Sequence, residues 1–154
     1  MKLAEALAVR ADAARRAEQL RARITASARF QEGENPAEDA SALLVEVGET
    51  LDELESLIRR INRTNAASVV DGATLTDALA RRDLLRLRHN VVTSAAAAAA
   101  GEGQRQYRQL RSELKMIPAL PVAELRRQAD DLARQLREVD TLIQRTNWEV
   151  DLLD

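Results

Sequence analysis

Three features of the sequence predict an all-α protein, an antiparallel bundle of four long helices with coiled-coil-like seams. Aromatic residues are only 2% of the 154, too few for the pleated, half-buried faces of a sandwich or barrel. Five glycines and three prolines stand against 31% charged residues, so turn punctuation is sparse. Leucine, isoleucine and valine recur every three or four residues, the spacing that lines one side of a helix. The apolar fraction of 45% is enough to bury a core, but 28 of those residues are alanine, so the core must come from Leu, Val and Ile. The length predicts a single helical domain over 1–154.

The first helix is expected over residues 2–29. Leu3, Ala6, Arg10, Ala13, Ala17, Leu20, Ile24 and Ser27 form its stripe, with Arg10 the one flaw. The second, over 36–65, takes Asn35 as N-cap, Pro36 in its first turn and Glu38 to close a capping box. Its seam is Leu44, Val47, Leu51, Leu54, Ile58, Ile61 and Asn65, unbroken until the last position. Acidic residues lead it and Arg59, Arg60 and Arg63 end it, the order that the helix dipole favours. Asp71-Gly72 marks a turn, and Thr74-Leu75-Thr76-Asp77 resembles a shortened capping box that opens a third helix over 74–100, stopped by Gly101.

Residues 101–120 form an irregular linker, in which Pro118 and Pro121 forbid a continuous helix and Ser112 to Ile117 has the pattern of an extended segment. The fourth helix, over 121–152, carries Leu125, Ala129, Leu132, Leu136, Val139, Ile143, Thr146, Val150 and Leu153 on one seam. That is ~45 Å at 1.5 Å per residue. Segments 36–65 and 119–154 carry charges of −4 and −3, against +2 for 1–35, +1 for 66–100 and +2 for 101–118. Acidic helices can therefore flank basic ones in a bundle, with arginines as interhelical partners.

Ile61-Asn62-Arg63-Thr64-Asn65 matches Ile143-Gln144-Arg145-Thr146-Asn147, as if two helical hairpins shared a plan. These runs, with Thr74 to Asp83, Arg111-Ser112-Glu113 and Asn147-Trp148, resemble the septicolysin-like family of small bacterial proteins of unknown activity. The resemblance implies a small helical bacterial protein, a homo-oligomer, and no catalytic residues to carry over. Pore formation, which the family name implies, finds no spanning stretch or aromatic belt in this sequence.

Composition excludes several chemistries. No cysteine removes disulfides and thiolate sites, and a single histidine, His89, has Arg86 where a di-iron motif needs glutamate. There is no Gly-x-Ser-x-Gly elbow and no glycine-rich phosphate loop. Clustered carboxylates on the second and fourth helices lie mostly off the apolar seams and read as solvated faces. The net charge of −2 gives no global field for nucleic acid or an anionic membrane.

Two constellations remain. Asn65, Asn147, Trp148 and Leu152 are candidate oligomer contacts: an asparagine on an apolar seam can fix register, and Trp148 with Leu152 lies on an outer face. Arg81, Arg82, Arg86 and Arg88, with Arg105, Arg108, Arg111 and Lys115 beyond the alanine run and Tyr107 as a stacking ring, are candidate polyanion contacts. The expected function is a non-enzymatic, cytoplasmic assembly or interaction protein whose partner is a second copy of itself, a hexamer being one arrangement. A nucleic-acid or other polyanion binder is the alternative, and neither cofactor, metal nor membrane is called for.

Overall fold

The computed structural model describes residues 1–103 and 114–154. It is all-α as expected: α1 (Leu3–Ser27), α2 (Ala40–Ala67), a small hairpin of β1 (Val69–Val70) and β2 (Ala73–Thr74), α3 (Leu75–Ala99) and α4 (Val122–Glu149). The described residues divide into two compact units, one of 1–75 with 144–154 and one of 76–143.

In the first unit α1 packs along α2. The stripe expected on α1 is the one that faces inward: Leu3, Ala6, Leu20 and Ser27 are buried, Ala13, Ala17 and Ile24 half-buried, and Arg10 exposed. Arg16 meets Glu46 at 2.9 Å and Arg23 meets Glu38, so numbers rise on one helix as they fall on the other and the pair is antiparallel.

The start of α2 differs from the expectation. Asp39, not Asn35, is the N-cap: its Oδ1 accepts from the Ser41 and Ala42 amides at 3.0 and 3.2 Å. Glu38 closes no capping box because its carboxylate accepts from the Arg23 guanidinium, Nε to Oε2 at 3.0 Å. Asn35 and Pro36 therefore lie in the α1–α2 connection. The expected seam holds at Val47, Leu54, Ile58, Ile61 and Asn65 and fails at Leu44 and Leu51, where Leu43 and Thr50 turn inward instead. Leu43, Thr50, Ile61 and Thr64 are buried and Val47, Leu54 and Leu57 half-buried, while Leu44 and Leu51 are exposed. Threonine is admitted to this seam because each hydroxyl donates one turn back, Thr50 Oγ1 to the Glu46 carbonyl at 2.9 Å and Thr64 Oγ1 to that of Arg60 at 2.8 Å. Among the described residues no buried side-chain donor is left without a partner.

Asp71 and Gly72, at φ 48° and 79°, make the turn expected of them, and it is the two-residue turn that twists with a hairpin. Val69 pairs with Thr74 and Val70 with Ala73. The Leu75 amide donates to the Ser68 carbonyl at 2.9 Å, so α3 starts directly off the second strand. Gly101 stops α3 as expected. At φ 76° its amide donates to the Ala98 carbonyl at 3.1 Å, and that of Glu102 to Ala97 at 3.0 Å, the paired bonds of a Schellman end.

α4 ends at Glu149 because the chain beyond it leaves for a different partner. The Leu3 amide donates to the Val150 carbonyl and the Leu152 amide to the Met1 carbonyl, each at 2.9 Å, and Lys2 Nζ bridges Asp151 at 2.9 Å. In the second unit, Leu85 and Ala96 on α3 and Ala129, Val139 and Ile143 on α4 are buried. Arg126 of α4 meets Glu102 at 3.1 Å. Along α4 the expected seam holds as far as Val150, whereas Leu153 is exposed.

Neighbouring leucines on α2 test its rotation. Leu43→Ala is expected to cost ~2–5 kcal/mol in urea unfolding, as a buried leucine does, and Leu44→Ala under ~0.5 kcal/mol of subunit stability. The Arg23 hydrogen bond, and then its charge, hold the Glu38 carboxyl below the usual carboxylate range. A depressed carboxyl contributes stability that is present above its unfolded value, about 4.3, and is lost as pH falls through the folded one. Unfolding midpoints should therefore decline below about pH 4, and less steeply for Glu38→Gln.

Candidate functional site

α3 is apolar on two sides. Leu75, Leu85 and Ala96 are buried and Ala78, Arg82, His89 and Val92 half-buried, a three-four stripe that forms its inner face. On the opposite side Leu84, Leu87 and Val91 recur at the same spacing and are 58%, 57% and 60% exposed. With Leu132 of α4 they line a groove of about 670 Å³, whose polar groups are Arg88, Gln128, Asp131 and Gln135. Helical phase continues the outer stripe to Ala95 and Ala98, which line a second groove of about 420 Å³ with Met116, Ile117 and Leu120. Met116 and Ile117 are themselves about four-fifths exposed. A helix hydrophobic all round is normally covered all round, so this outer side is the part of the structure most in need of a partner.

A smaller patch lies in the first unit. Leu44, Val45 and Leu51 stand out from α2, with Gly48 between them. Glycine inside a helix costs roughly 0.5–1 kcal/mol relative to alanine. A Cβ built on Gly48 would meet nothing within 4 Å, so no close approach within the described chain explains it.

The chain's ends and the C-terminal turn of α2 form the most densely hydrogen-bonded part of the first unit. Thr64, fully buried, accepts the Leu153 amide on Oγ1 at 3.0 Å. Arg60 donates from Nε to the Leu153 carbonyl at 3.1 Å and from its terminal nitrogen to the Asp154 carboxylate at 3.0 Å. Arg63 donates to the Asp154 main-chain oxygen at 2.8 Å. The repeat noted in the sequence has a packing basis: Ile61 and Ile143 are each 2% exposed, and Thr64 and Thr146 are both buried.

Among the described residues the titrating groups displaced from their usual range belong to surface ion pairs. Besides Glu38 and its partner Arg23, which is raised, these are Glu124, lowered by its hydrogen bond from Arg127, and Asp151, lowered by that from Lys2. Among the described residues no three metal-ligating side chains cluster. What the two grooves beside α3 offer is apolar surface with a mixed polar rim.

Of the candidate oligomer contacts, Trp148 is 62% exposed, Asn147 is buried, and Asn65 and Leu152 are half-buried, with the Leu152 amide held by Met1. All four fall in the first unit. The four arginines do not share one face. Arg81 and Arg88, seven residues apart, edge the outer stripe on one side and Arg86 on the other, whereas Arg82 turns inward and bonds Asp83 at 3.0 Å. Arg105, Tyr107, Arg108, Arg111, Ser112 and Glu113 lie outside the described residues. Leu84, Leu87 and Val91 were legible as a second three-four series, but the arginines interleaved with them drew the reading toward charge.

A family of unknown function (DUF6847) matches residues 10–152. The crystal structure of a functionally unknown conserved protein from Corynebacterium diphtheriae is similar over 99% of this chain and 99% of its own, with 39% sequence identity and a TM-score of 0.90. No functionally curated protein matches. The resemblance to septicolysin-like proteins is corrected by these matches, neither of which points to that family. The runs that carried it include buried seam positions at Ile61, Thr64, Ile143 and Thr146 and the entry into α3, features that unrelated helical hairpins share.

Thr64→Val keeps the shape of the buried side chain and removes the acceptor of the Leu153 amide. It should lower unfolding stability by ~1–3 kcal/mol and raise amide exchange at Leu153.

Proposed function

We propose, given that the chain belongs to this family of unknown function, that it is a non-enzymatic assembly protein that works as a homo-oligomer through the outer side of α3. The observation that carries this is the second apolar stripe, Leu84, Leu87 and Val91, more than half exposed on a helix whose other side is already buried. The exposed Met116 and Ile117 beside the continuation of that stripe add to the uncovered apolar surface. Surfaces of this kind mark contact with another protein more often than with water. The absence of enzymatic chemistry is part of the proposal and is supported by grooves whose polar groups are arginine, glutamine and one aspartate. No helix among the described residues is long and apolar enough to cross a membrane, so the exposed stripe is not read as one face of a span.

Among the described residues Arg81 and Arg88 share one side of α3 while Arg82 turns inward and Arg86 lies elsewhere, a spread that supports the assembly reading over a polyanion binder. Size-exclusion chromatography with light scattering tests the proposal. The purified chain is expected to run as a defined oligomer at micromolar concentration, and Leu84→Asp with Val91→Asp to shift it to the monomer with its helical dichroism intact. A wild-type chain that stays monomeric at that concentration overturns the proposal.

A further inference from the structure

We infer that the chain is one helical hairpin duplicated, that only the second copy has an apolar groove, and that the assembly therefore closes as a twofold dimer, groove on groove; the dimer rests on the oligomeric reading above. The openings of α1 and α3 match in step: Leu3-Ala4-Glu5-Ala6-Leu7-Ala8-Val9-Arg10 against Leu75-Thr76-Asp77-Ala78-Leu79-Ala80-Arg81-Arg82. The ends of α2 and α4 match likewise, through Ile61 to Asn65 and Ile143 to Asn147. Main-chain bonds of the first unit keep the same two offsets. The Leu75 amide donates to the Ser68 carbonyl and the Leu3 amide to that of Val150, each at 2.9 Å, and Val69 pairs with Thr74 as Asp151 does with Lys2. The pairing of residues 1–3 with 150–152 therefore repeats that of β2 with β1.

The grooves correspond as well. The offsets that align the helices carry Leu84, Leu87, Arg88, Val91 and Gln128, beside α3, onto Asp12, Arg15, Arg16, Gln19 and Glu46, which line a groove of about 420 Å³ beside α1. One place in the fold is thus charged in the first copy and aliphatic in the second. Asp12 and Arg15 pair with each other on the surface of α1, so the hairpin packs without apolar residues at these positions. Leu84, Leu87 and Val91, more than half exposed, are then surplus to the packing of their own hairpin. The arginine that both copies keep has changed its surroundings too: Arg16 meets Glu46 at 2.9 Å, whereas Arg88 has Gln128 in place of that glutamate and no ion pair among the described residues.

A surface borne once per chain sets the size of the assembly. A ring or a filament needs a second, different surface to receive the stripe, and the place equivalent to its own is charged. Leu44 and Leu51 on α2 do not supply one, being two side chains on a line that runs on into the ion-paired Glu55, with Val45 turned about 100° away. Facing its own copy, the α3 groove meets an equal apolar stripe and a complementary rim. Arg88 and Asp131 both line it, so a twofold axis running along the helices brings each Arg88 level with the Asp131 of the other copy. Arg134 holds Oδ1 of Asp131 at 3.0 Å, one turn along α4, and leaves Oδ2 for that contact.

Exchanging the residues of the two grooves decides it. Leu84→Asp with Leu87→Arg and Val91→Gln gives α3 the side chains of α1, and the chain should keep its helical dichroism and run as a monomer. Asp12→Leu with Arg15→Leu and Gln19→Val gives α1 the stripe of α3, and the dimer should pass to larger species in light scattering. Arg88→Asp and Asp131→Arg should each weaken the dimer at least about tenfold, and the two variants mixed in equal amounts should form a heterodimer, since both contacts then meet opposite charge. An unaltered chain that is monomeric removes the oligomeric reading itself. A trimer or larger species from the unaltered chain overturns the dimer alone, as does a mixture of Arg88→Asp and Asp131→Arg that does not pair. Loss of helical dichroism on copying α1 into α3 overturns the equivalence of the grooves, since the leucines would then belong to the packing of their own hairpin.

Discussion

With one phenylalanine, one tyrosine and one tryptophan, this chain must build its interior from aliphatic stripes along helices, and that constraint governs the rest. A stripe of leucine, isoleucine, valine and alanine can be hidden only against another element, and one helix face hides one stripe. On α1 the stripe is thin, with Ala6, Ala13 and Ala17 between Leu3 and Leu20. Small residues give little apolar area of their own but let the neighbouring helix approach closely, so the larger side chains of α2 supply the burial. Where a helix carries a second stripe, as α3 does, one packed face cannot absorb it, and Leu84, Leu87 and Val91 stay more than half exposed.

Polar groups fix what the stripes leave loose. An all-aliphatic helical pair slides and rotates at small cost, because leucine against alanine is satisfied in more than one register. Thr50 and Thr64 remove that freedom in the first unit. Each is comfortable when buried because its hydroxyl is satisfied one turn back, and Thr64 also takes the Leu153 amide. Arg60 and Arg63 then hold the chain end, and Lys2 holds Asp151. Residues 153 and 154 are thereby tied to the last turns of α2 and residues 1–3 to 149–152, a closure that costs loop entropy once and is supported by several bonds at once.

The parts of the fold that were legible in the sequence are those where apolar period and punctuation agree. The α1 stripe, with Arg10 as its flaw, the α4 seam, the Asp71-Gly72 turn and the Gly101 stop all stand where residue chemistry puts them. On α2 the seam was legible at Val47, Leu54, Ile58, Ile61 and Asn65 but not at Leu44 and Leu51, because hydrophobicity alone does not choose between the adjacent Leu43 and Leu44 or anticipate that a self-satisfied Thr50 is buried in preference to Leu51. Its cap was hidden for a related reason: two acids stand side by side, and only the three-dimensional reach of Arg23 decides that Glu38 is the ion pair and Asp39 the cap. The two-residue strands are too short to show alternation at all. Of the candidate site, the arginines were visible and the leucines among them were not given their weight.

That mixture is itself informative about what the surface must do. Exposed leucines invite non-specific association, and a protein that keeps them needs a device against the wrong partner. Charge at the edge of an apolar stripe is such a device. On α3 that device is of mixed sign: Asp77, in helical phase with Leu84 and Val91, Asp83 beside them and Asp131 across the groove stand among Arg81 and Arg88. A rim of one sign repels its own copy, whereas a rim of both signs can meet either its own copy or a different surface, so the selectivity of this stripe lies in where each charge stands and not in its net charge. Arginine, whose planar fork meets a carboxylate from a fixed direction, outnumbers lysine 21 to 2 and suits a surface that is read by position.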